Sequence, residues 1–205
     1  GRPFEPSSTE KANDILRRYE DIILSDAKRC LGSYIFLWGQ KQERTPTWYG
    51  MFLETGERTE AVEVMQKVWT GHLPTHNAPK IQSLFLNQQE APVSIEADVD
   101  QVLSAEVMLT GNDNHLISWR VREEVPAALQ SDGGDFEPTP PTLHSMTGTH
   151  AREFSFKLSK PGEYRLFCQI DAPEKTSAVS NIPFLIKPKP LKLKRFLNLF
   201  GRKAA

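Results

Sequence analysis

The stretch of this sequence best suited to chemistry is a polar loop, residues 39–50, that follows an apolar run, residues 31–38. The run has the length of a strand and is rich in aromatic and β-branched residues, which is typical of a strand buried on both faces. A buried strand that opens into a polar loop holding aromatic residues is how a barrel strand reaches an active-site face. The alternative is a core strand followed by an ordinary surface loop. The candidate site residues are Trp38, Gln40, Gln42, Glu43, Trp48 and Tyr49.

The other reactive side chains form no catalytic or metal-binding pattern. The five histidines have no metal-ligand spacing, and the sequence has no Ser-His-Asp set and no glycine-rich phosphate loop. Cys30 and Cys168 are far apart, and each is predicted to be a small buried residue rather than a nucleophile. Asp132, Asp135 and Glu137 do not match the spacing of a calcium loop. We therefore predict no metal site and no cofactor.

Length and charge describe an ordinary globular protein with a basic end. The 205 residues suffice for one large or two small domains, and 25% of them are charged. Residues 187–205 hold five Lys and two Arg without an acid, so the acidic body is not expected to bind nucleic acid. The tail, residues 188–205, is either an amphipathic segment in weak contact with a membrane or a solvated terminus. No signal-like or transmembrane run is present, and the compartment stays open, with a periplasmic or extracellular location favoured.

Two helices are expected on either side of the apolar run. Ser7 and Glu10 form a capping box, and apolar residues then recur at helical spacing over residues 8–24. A second helix is predicted for residues 59–70, with Trp69 on its inner face and Gly71 as its end. The order helix, buried strand, helix over residues 1–70 is typical of an α/β fold.

After a linker, residues 71–80, the pattern changes from helical to alternating, which predicts a β-sandwich over residues 81–187. Trp119 is expected in its core, and Tyr164 is expected to form a tyrosine corner. Residues 125–150 are predicted to be a long loop that docks on the neighbouring domain. Seven strands are predicted, at residues 81–87, 93–98, 103–110, 116–122, 152–158, 164–170 and 178–186.

Residues 1–12 and 30–50, with Trp-Gly-Gln-Lys-Gln-Glu at residues 38–43, resemble the end of a bacterial family-2-type (β/α)₈-barrel glycoside hydrolase. Residues 81–187 are similar to the immunoglobulin-like or PKD-like domain that follows such barrels. The resemblance rests there on LISWRV at 116–121, GGDFEP at 133–138 and PGEYRLF at 161–167. It implies the last unit of a TIM barrel, with residues 31–38 as the eighth strand and residues 59–70 as the eighth helix.

The resemblance also implies a sugar-binding role for the candidate site. Trp38 would be the apolar platform under the sugar, since an aromatic face matches the C–H face of a pyranose. Gln40, Gln42 and Glu43 would hydrogen-bond sugar hydroxyls, and Trp48 and Tyr49 would wall an outer subsite. The expected partners are a β-linked glycan and the rest of the barrel.

Hydrolysis by this chain alone is not expected. A retaining glycosidase needs two carboxyl groups about 5 Å apart, and the resemblance places both on strands that would precede Gly1. Glu43 is the only acid in the loop, and one carboxylate cannot serve as both acid and nucleophile. The sequence therefore predicts a C-terminal glycosidase fragment, with a non-catalytic carbohydrate- or protein-binding β-sandwich module as the alternative.

Overall fold

The structure, a computed structural model, describes residues 3–111, 115–130 and 137–189. It divides into a helical unit, residues 3–80, and a β-sandwich, residues 81–189. The helices are α1 (Ser8–Arg18) and α2 (Glu60–Thr70). The strands are β1 (Ile81–Leu86), β2 (Gln89–Glu90), β3 (Ile95–Asp98), β4 (Val102–Leu109), β5 (Leu116–Glu123), β6 (Thr142–Thr149), β7 (Glu153–Lys157), β8 (Gly162–Ala172) and β9 (Thr176–Lys187).

The sandwich has two sheets with the strand orders β2-β1-β4-β7 and β3-β9-β8-β5-β6. All neighbours are antiparallel except β3 and β9, which run parallel. This arrangement is that of an immunoglobulin-like sandwich, so the predicted fold of this part is confirmed. All seven predicted strands are present.

Strands β2 and β6 were not predicted, and β6 occupies much of the expected loop 125–150. Strand β6 lies at the edge of its sheet and none of its residues is buried. A sequence without a buried alternating face has no apolar period by which a strand can be recognised. The prediction of a structureless loop across residues 142–149 was therefore wrong.

The core between the sheets is built by alternating inward side chains, as the pattern predicts. Trp119 is fully buried on β5, and its indole Nε1 donates to the carbonyl of Ala151 at 2.7 Å. The hydroxyl of Tyr164, at the start of β8, donates to the carbonyl of Lys160 at 2.8 Å, which is a tyrosine corner. Burial strongly raises the pKa of the Cys168 thiol, so Cys168 is a core residue, as predicted, and not a nucleophile.

The helical unit begins with the predicted capping box. The Ser7 hydroxyl accepts from the Glu10 backbone at 3.2 Å, and the Glu10 carboxylate accepts from the Ser7 backbone at 2.7 Å. Beyond α1 the helical path continues as a π-helical turn, Tyr19–Ile23, and a 3-10 turn, Leu24–Asp26. Helix α2 follows Thr59 and ends at Gly71, whose φ of 79° suits glycine.

The buried strand predicted for residues 31–38 is wrong. These residues are irregular, and Leu31 and Phe36 are 96% and 83% exposed. A strand needs a hydrogen-bonded neighbour, and no described strand runs beside this segment. The described residues of the helical unit therefore form no βα unit of a TIM barrel, and α1 packs directly on α2.

The helical unit docks on the edge of β9 that β3 leaves uncovered. The Ser177 backbone N–H donates to the carbonyl of Arg58 at 3.0 Å, and Arg58 donates to the carbonyl of Lys175 at 2.9 Å. Farther along the strand, the Val179 N–H donates to the Ser8 hydroxyl at 3.0 Å. Covering a free strand edge in this way satisfies its backbone and blocks pairing with other chains.

Within the described residues, no helix combines the length and apolar character that a membrane span requires. Most of the predicted basic tail, residues 190–205, lies outside the described residues. Lys189, near its start, forms an exposed ion pair with Asp100 at 2.8 Å.

Candidate functional site

The predicted polar loop is a closed loop, residues 39–52, whose two ends meet. The carbonyl of Gly39 accepts from the backbone N–H groups of Met51 and Phe52 at 3.1 and 3.2 Å. At this neck, a Cβ on Gly50 would lie 2.8 Å from the Gly39 carbonyl oxygen, which explains the glycine. The closed loop therefore holds residues 43–49 in one compact surface projection.

The buried carboxylate of Glu5 holds the closed loop in place. Glu5 accepts hydrogen bonds from the Lys11 ammonium group and from the Thr47 hydroxyl, the latter at 2.9 Å. The Lys11 ammonium also donates to the carbonyls of Thr47 at 2.7 Å and Trp48 at 3.2 Å. Helix α1 thus sets the backbone position from which Trp48 and Tyr49 project.

The second oxygen of Glu5 ties this arrangement to the sandwich. It accepts from the Asn181 amide on β9 at 2.6 Å, and Asn181 in turn accepts from Arg165 on β8 at 2.5 Å. Burial acts to raise the pKa of Glu5, but the charge of Lys11 and the hydrogen bonds to the carboxylate outweigh it, so the pKa is lowered. Glu5 is therefore a charged, fully engaged structural group.

The apolar residues around the closed loop form what we call the aromatic surface: Phe36, Trp38, Tyr49 and Trp69. Trp38 and Trp69 are 53% and 51% exposed, their ring centroids lie 5.8 Å apart, and their planes differ by 30°. Phe52 supports Trp38 edge-on at 5.4 Å. Two half-exposed indoles at a small angle offer a rigid apolar platform of the kind that binds ring-shaped ligands.

Trp48 and Tyr49 occupy different surroundings. The Tyr49 ring meets Phe36 edge-on at 5.1 Å, whereas the Arg44 guanidinium lies 5.4 Å from the centre of the Trp48 ring. Tyr49 thus belongs to the aromatic surface, and Trp48 is engaged in a cation–π contact within the closed loop.

The polar candidates are used inside the protein. Gln40 donates to the carbonyl of Pro46 at 3.2 Å, and Glu43, which is buried, accepts from Lys41 at 2.9 Å. Gln42 accepts from the Thr139 hydroxyl at 3.4 Å. These three side chains stabilise the closed loop, and their predicted contact with sugar hydroxyls stays a prediction.

Residues 137–139 of the sandwich reach the closed loop, as expected of a docking loop. The buried Glu137 carboxylate accepts from the Arg44 backbone at 2.6 Å. The predicted acids Asp132 and Asp135 lie outside the described residues. In the part of the chain that the structure describes, no three His, Cys, Asp or Glu side chains lie close enough to hold a metal ion.

Trp69 was predicted to face inward, and its exposure makes that prediction wrong. It lies in the last turn of α2, one residue before Thr70, and its ring packs against the half-exposed Trp38 rather than in the core. Trp69 packs against Trp38, which is distant in sequence, and the alternation and spacing of residues cannot predict such a contact.

No known protein family matches the chain, and neither does any curated protein. Among solved structures, the soluble domain of PmoD from Methylocystis sp. ATCC 49242 (Rockwell) is 10% identical. Its alignment covers 53% of this chain and 97% of that chain, with a TM-score of 0.36. The PKD domain of an M14-like peptidase from Thermoplasmatales archaeon SCGC AB-540-F20 is 12% identical, over 56% of this chain and 100% of that chain, with a TM-score of 0.32. The assignment of an immunoglobulin-like sandwich rests on the sheet order and the tyrosine corner described above.

Proposed function

We propose that this chain is a non-catalytic module that binds carbohydrate through the aromatic surface. The observation that carries the proposal is the pair of half-exposed indoles, Trp38 and Trp69, whose planes differ by 30°, with Phe52 packed edge-on against Trp38. A pyranose ring presents an apolar C–H face that stacks on such a platform. The rigid side chains lose little conformational entropy on binding, because their rings are already positioned.

The state of the acid in the closed loop is consistent with a binding role. Glu43, the only acid of the closed loop, is buried and paired with Lys41 at 2.9 Å. A single engaged carboxylate cannot provide the acid and the nucleophile that glycoside hydrolysis requires.

Replacing Trp38 with alanine is expected to weaken the binding of β-glucan or β-galactan oligosaccharides at least tenfold. An aromatic side chain at the centre of a binding surface is worth roughly 2 kcal/mol, and 1.4 kcal/mol corresponds to a factor of about ten. Isothermal titration calorimetry of the full chain measures the change. Trp48→Ala is the matched control, because the Arg44 guanidinium packs on the Trp48 ring. The affinity of this variant for the oligosaccharides should equal that of the unmodified chain.

The two alternative outcomes are distinct. Binding that survives in Trp38→Ala would move recognition to the sandwich or to Trp48. No binding by the unmodified chain to any oligosaccharide in the panel would contradict the proposal.

A second candidate function follows from the apolar residues that a sugar platform does not need. Leu31, Ile22 and Leu24 are exposed on the helical unit, and aliphatic groups of this kind are usually covered by protein. We infer as the alternative that residues 31–38 pair with a sheet of a (β/α)₈-barrel glycoside hydrolase. The sandwich would then brace that enzyme, and its catalytic carboxylates would lie outside this chain.

Under this alternative, the chain on its own is expected to self-associate in solution. Its uncovered apolar side chains, Leu31 and Phe36 above all, would be buried between copies. Multi-angle light scattering at increasing concentration tests this, with Leu31→Ser plus Phe36→Ser as the variant that should stay monomeric. A monodisperse monomer at high concentration would count against the alternative, and upstream coding sequence for six or more βα units would favour it.

A further inference from the structure

A cleft, separate from the aromatic surface, lies between the sandwich and the helical unit. Its floor is the outer face of the sheet that contains β5, β8 and β9, and its other wall is formed by residues 46–47 and 53–55. Its cavity volume is ≈ 120 Å³, and it is partly open to solvent. The cleft exists because the helical unit docks on β9 and covers only part of this sheet face.

Two arginines, Arg120 and Arg122, project into this cleft from alternate positions of β5. Residues two apart on a strand point to the same face, and their backbones are about 7 Å apart. Both side chains are partly buried. Two guanidinium groups side by side in a recess make a concentrated positive charge.

Among the described residues, each of the two guanidinium groups donates one side-chain hydrogen bond. Arg120 donates to the Gln169 side-chain oxygen, and Arg122 donates through Nε to the Thr142 hydroxyl at 3.2 Å. Each guanidinium has five N–H donors, so four on each side chain have no acceptor among residues 3–111, 115–130 and 137–189. Within residues 3–111, 115–130 and 137–189, neither arginine forms an ion pair with a carboxylate.

The surroundings hold the two groups in place. The Gln169 side-chain oxygen accepts from Arg120, and its amide nitrogen donates to the Asp171 carboxylate at 2.8 Å. The bond to Asp171 therefore fixes the orientation of the Gln169 amide. The Arg122 guanidinium lies 5.6 Å from the centre of the Phe167 ring in a cation–π contact. Such a contact uses the face of the guanidinium and leaves the N–H groups along its edge free to donate. Preorganised forks of this kind match the geometry of a carboxylate.

The charge balance of the cleft favours an anion. Burial lowers the pKa of Arg122 and the charge of Arg120 lowers it further, while Glu54 on the opposite wall acts against both. Arginine stays protonated in proteins, so the repulsion between the two groups persists until an anion offsets it. Glu54 is the only acid that lines the described cleft.

We propose that this cleft binds the carboxylate of a small organic acid between the guanidinium groups of Arg120 and Arg122. The site is separate from the aromatic surface and does not depend on the proposed glycan binding. Its apolar lining, Leu53, Phe167 and Val179, would contact the carbon skeleton of the ligand.

The test is calorimetric titration of the full chain carrying Trp38→Ala, which removes the proposed pyranose platform, at low salt with sodium glucuronate and with glucose as the uncharged control of the same ring. Glucuronate is expected to bind and glucose is not. Arg120→Gln and Arg122→Gln should each weaken glucuronate binding about tenfold to a hundredfold, the range for losing a charge-assisted hydrogen bond. Arg17→Gln, which removes an exposed arginine on α1, should change nothing.

Glu54→Gln provides a test in the opposite direction. It removes the negative charge on the facing wall, so glucuronate affinity should rise about two- to fivefold. Because Glu54 is exposed, this variant is expected to fold normally. A gain in affinity in Glu54→Gln cannot result from unfolding, and far-UV circular dichroism of Arg122→Gln shows whether that variant is folded.

Inorganic sulfate distinguishes the source of the affinity. If sulfate binds as tightly as glucuronate and needs both arginines, the oxyanion alone is recognised. If glucuronate binds more tightly, the organic part contributes as well, and both results support the arginine site. Equal binding of glucuronate and glucose, or glucuronate binding that persists in both arginine variants, would overturn the proposal.

Discussion

Replacing Trp119 with alanine is expected to lower the free energy of unfolding by about 3–5 kcal/mol, the usual cost of removing a large buried aromatic side chain. Trp119 is fully buried between the sheets and stacks against Phe154 with ring centroids 6.0 Å apart. The substitution opens a cavity and also leaves the Ala151 carbonyl without its donor at 2.7 Å. Since domains of this size are stable by only about 5–15 kcal/mol, the variant should be close to unfolding.

Urea unfolding followed by far-UV circular dichroism measures this effect. Trp69→Ala is the matched control, because it removes the same side chain from a half-exposed position and should cost less than about 1 kcal/mol. A loss of less than about 1 kcal/mol in Trp119→Ala would mean that the sandwich core does not depend on Trp119, contrary to its burial.

The contrast between Trp119 and Trp69 shows what could be predicted from the sequence. Strand β5 alternates buried and less buried residues, so the core position of Trp119 follows from its place in the period. Tyr164 could be predicted in the same way, because the tyrosine corner involves partners only four residues apart. Local patterns with short-range partners are readable from the sequence.

The prediction for residues 31–38 failed for a different reason. Their composition is that of a buried strand, yet burial requires a neighbouring strand, and the described residues provide none beside this segment. Periodicity reports what a segment prefers and does not report what is available to cover it. The same apolar residues therefore become an exposed surface, with Leu31 96% exposed.

The candidate site was only partly predictable. Trp38 and Tyr49 do lie on the aromatic surface, but Trp69 and Phe36, which contact them, were not among the candidates. The arginine cleft was missed entirely, because it arises only when the helical unit docks on β9 and residues 46–47 and 53–55 come to face Arg120 and Arg122. Contacts between parts of the chain that are far apart in sequence leave no mark in local spacing.

Glu5 is the strongest example of such a contact, and Glu5→Gln is expected to destabilise the protein by about 3 kcal/mol at neutral pH. Lys11, Thr47 and Asn181 all donate hydrogen bonds to the Glu5 carboxylate. Glutamine replaces one acceptor oxygen with an amide that donates, so a donor would face a donor. The substitution also leaves Lys11 without its buried counter-charge, and removing one partner of a buried pair is costly. The loss should be near the low end of the usual range because Lys11 is partly exposed.

The effect of Glu5→Gln should disappear in acid. The folded-state pKa of Glu5 is lowered from its ordinary value of 4.5, so the carboxylate binds its proton less readily in the folded state than in the unfolded state. Its contribution to stability is therefore fully present above pH 4.5 and is lost as the pH falls through the lower folded-state pKa. The difference in unfolding free energy between the unmodified protein and Glu5→Gln should shrink steadily below that pH.

Urea unfolding at a series of pH values from neutral to acid measures this convergence. Glu20→Gln, which neutralises an exposed acid in the turn that follows α1, is the control and should leave stability nearly unchanged at every pH. Because Glu5 joins α1, the closed loop and β9, its loss should also expose the helical unit to proteolysis before the sandwich. A difference between the two proteins that stays constant as the pH falls would show that the charge of Glu5 is not what holds the helical unit to the sandwich. The stabilisation would then come from the shape of the side chain and its neutral hydrogen bonds.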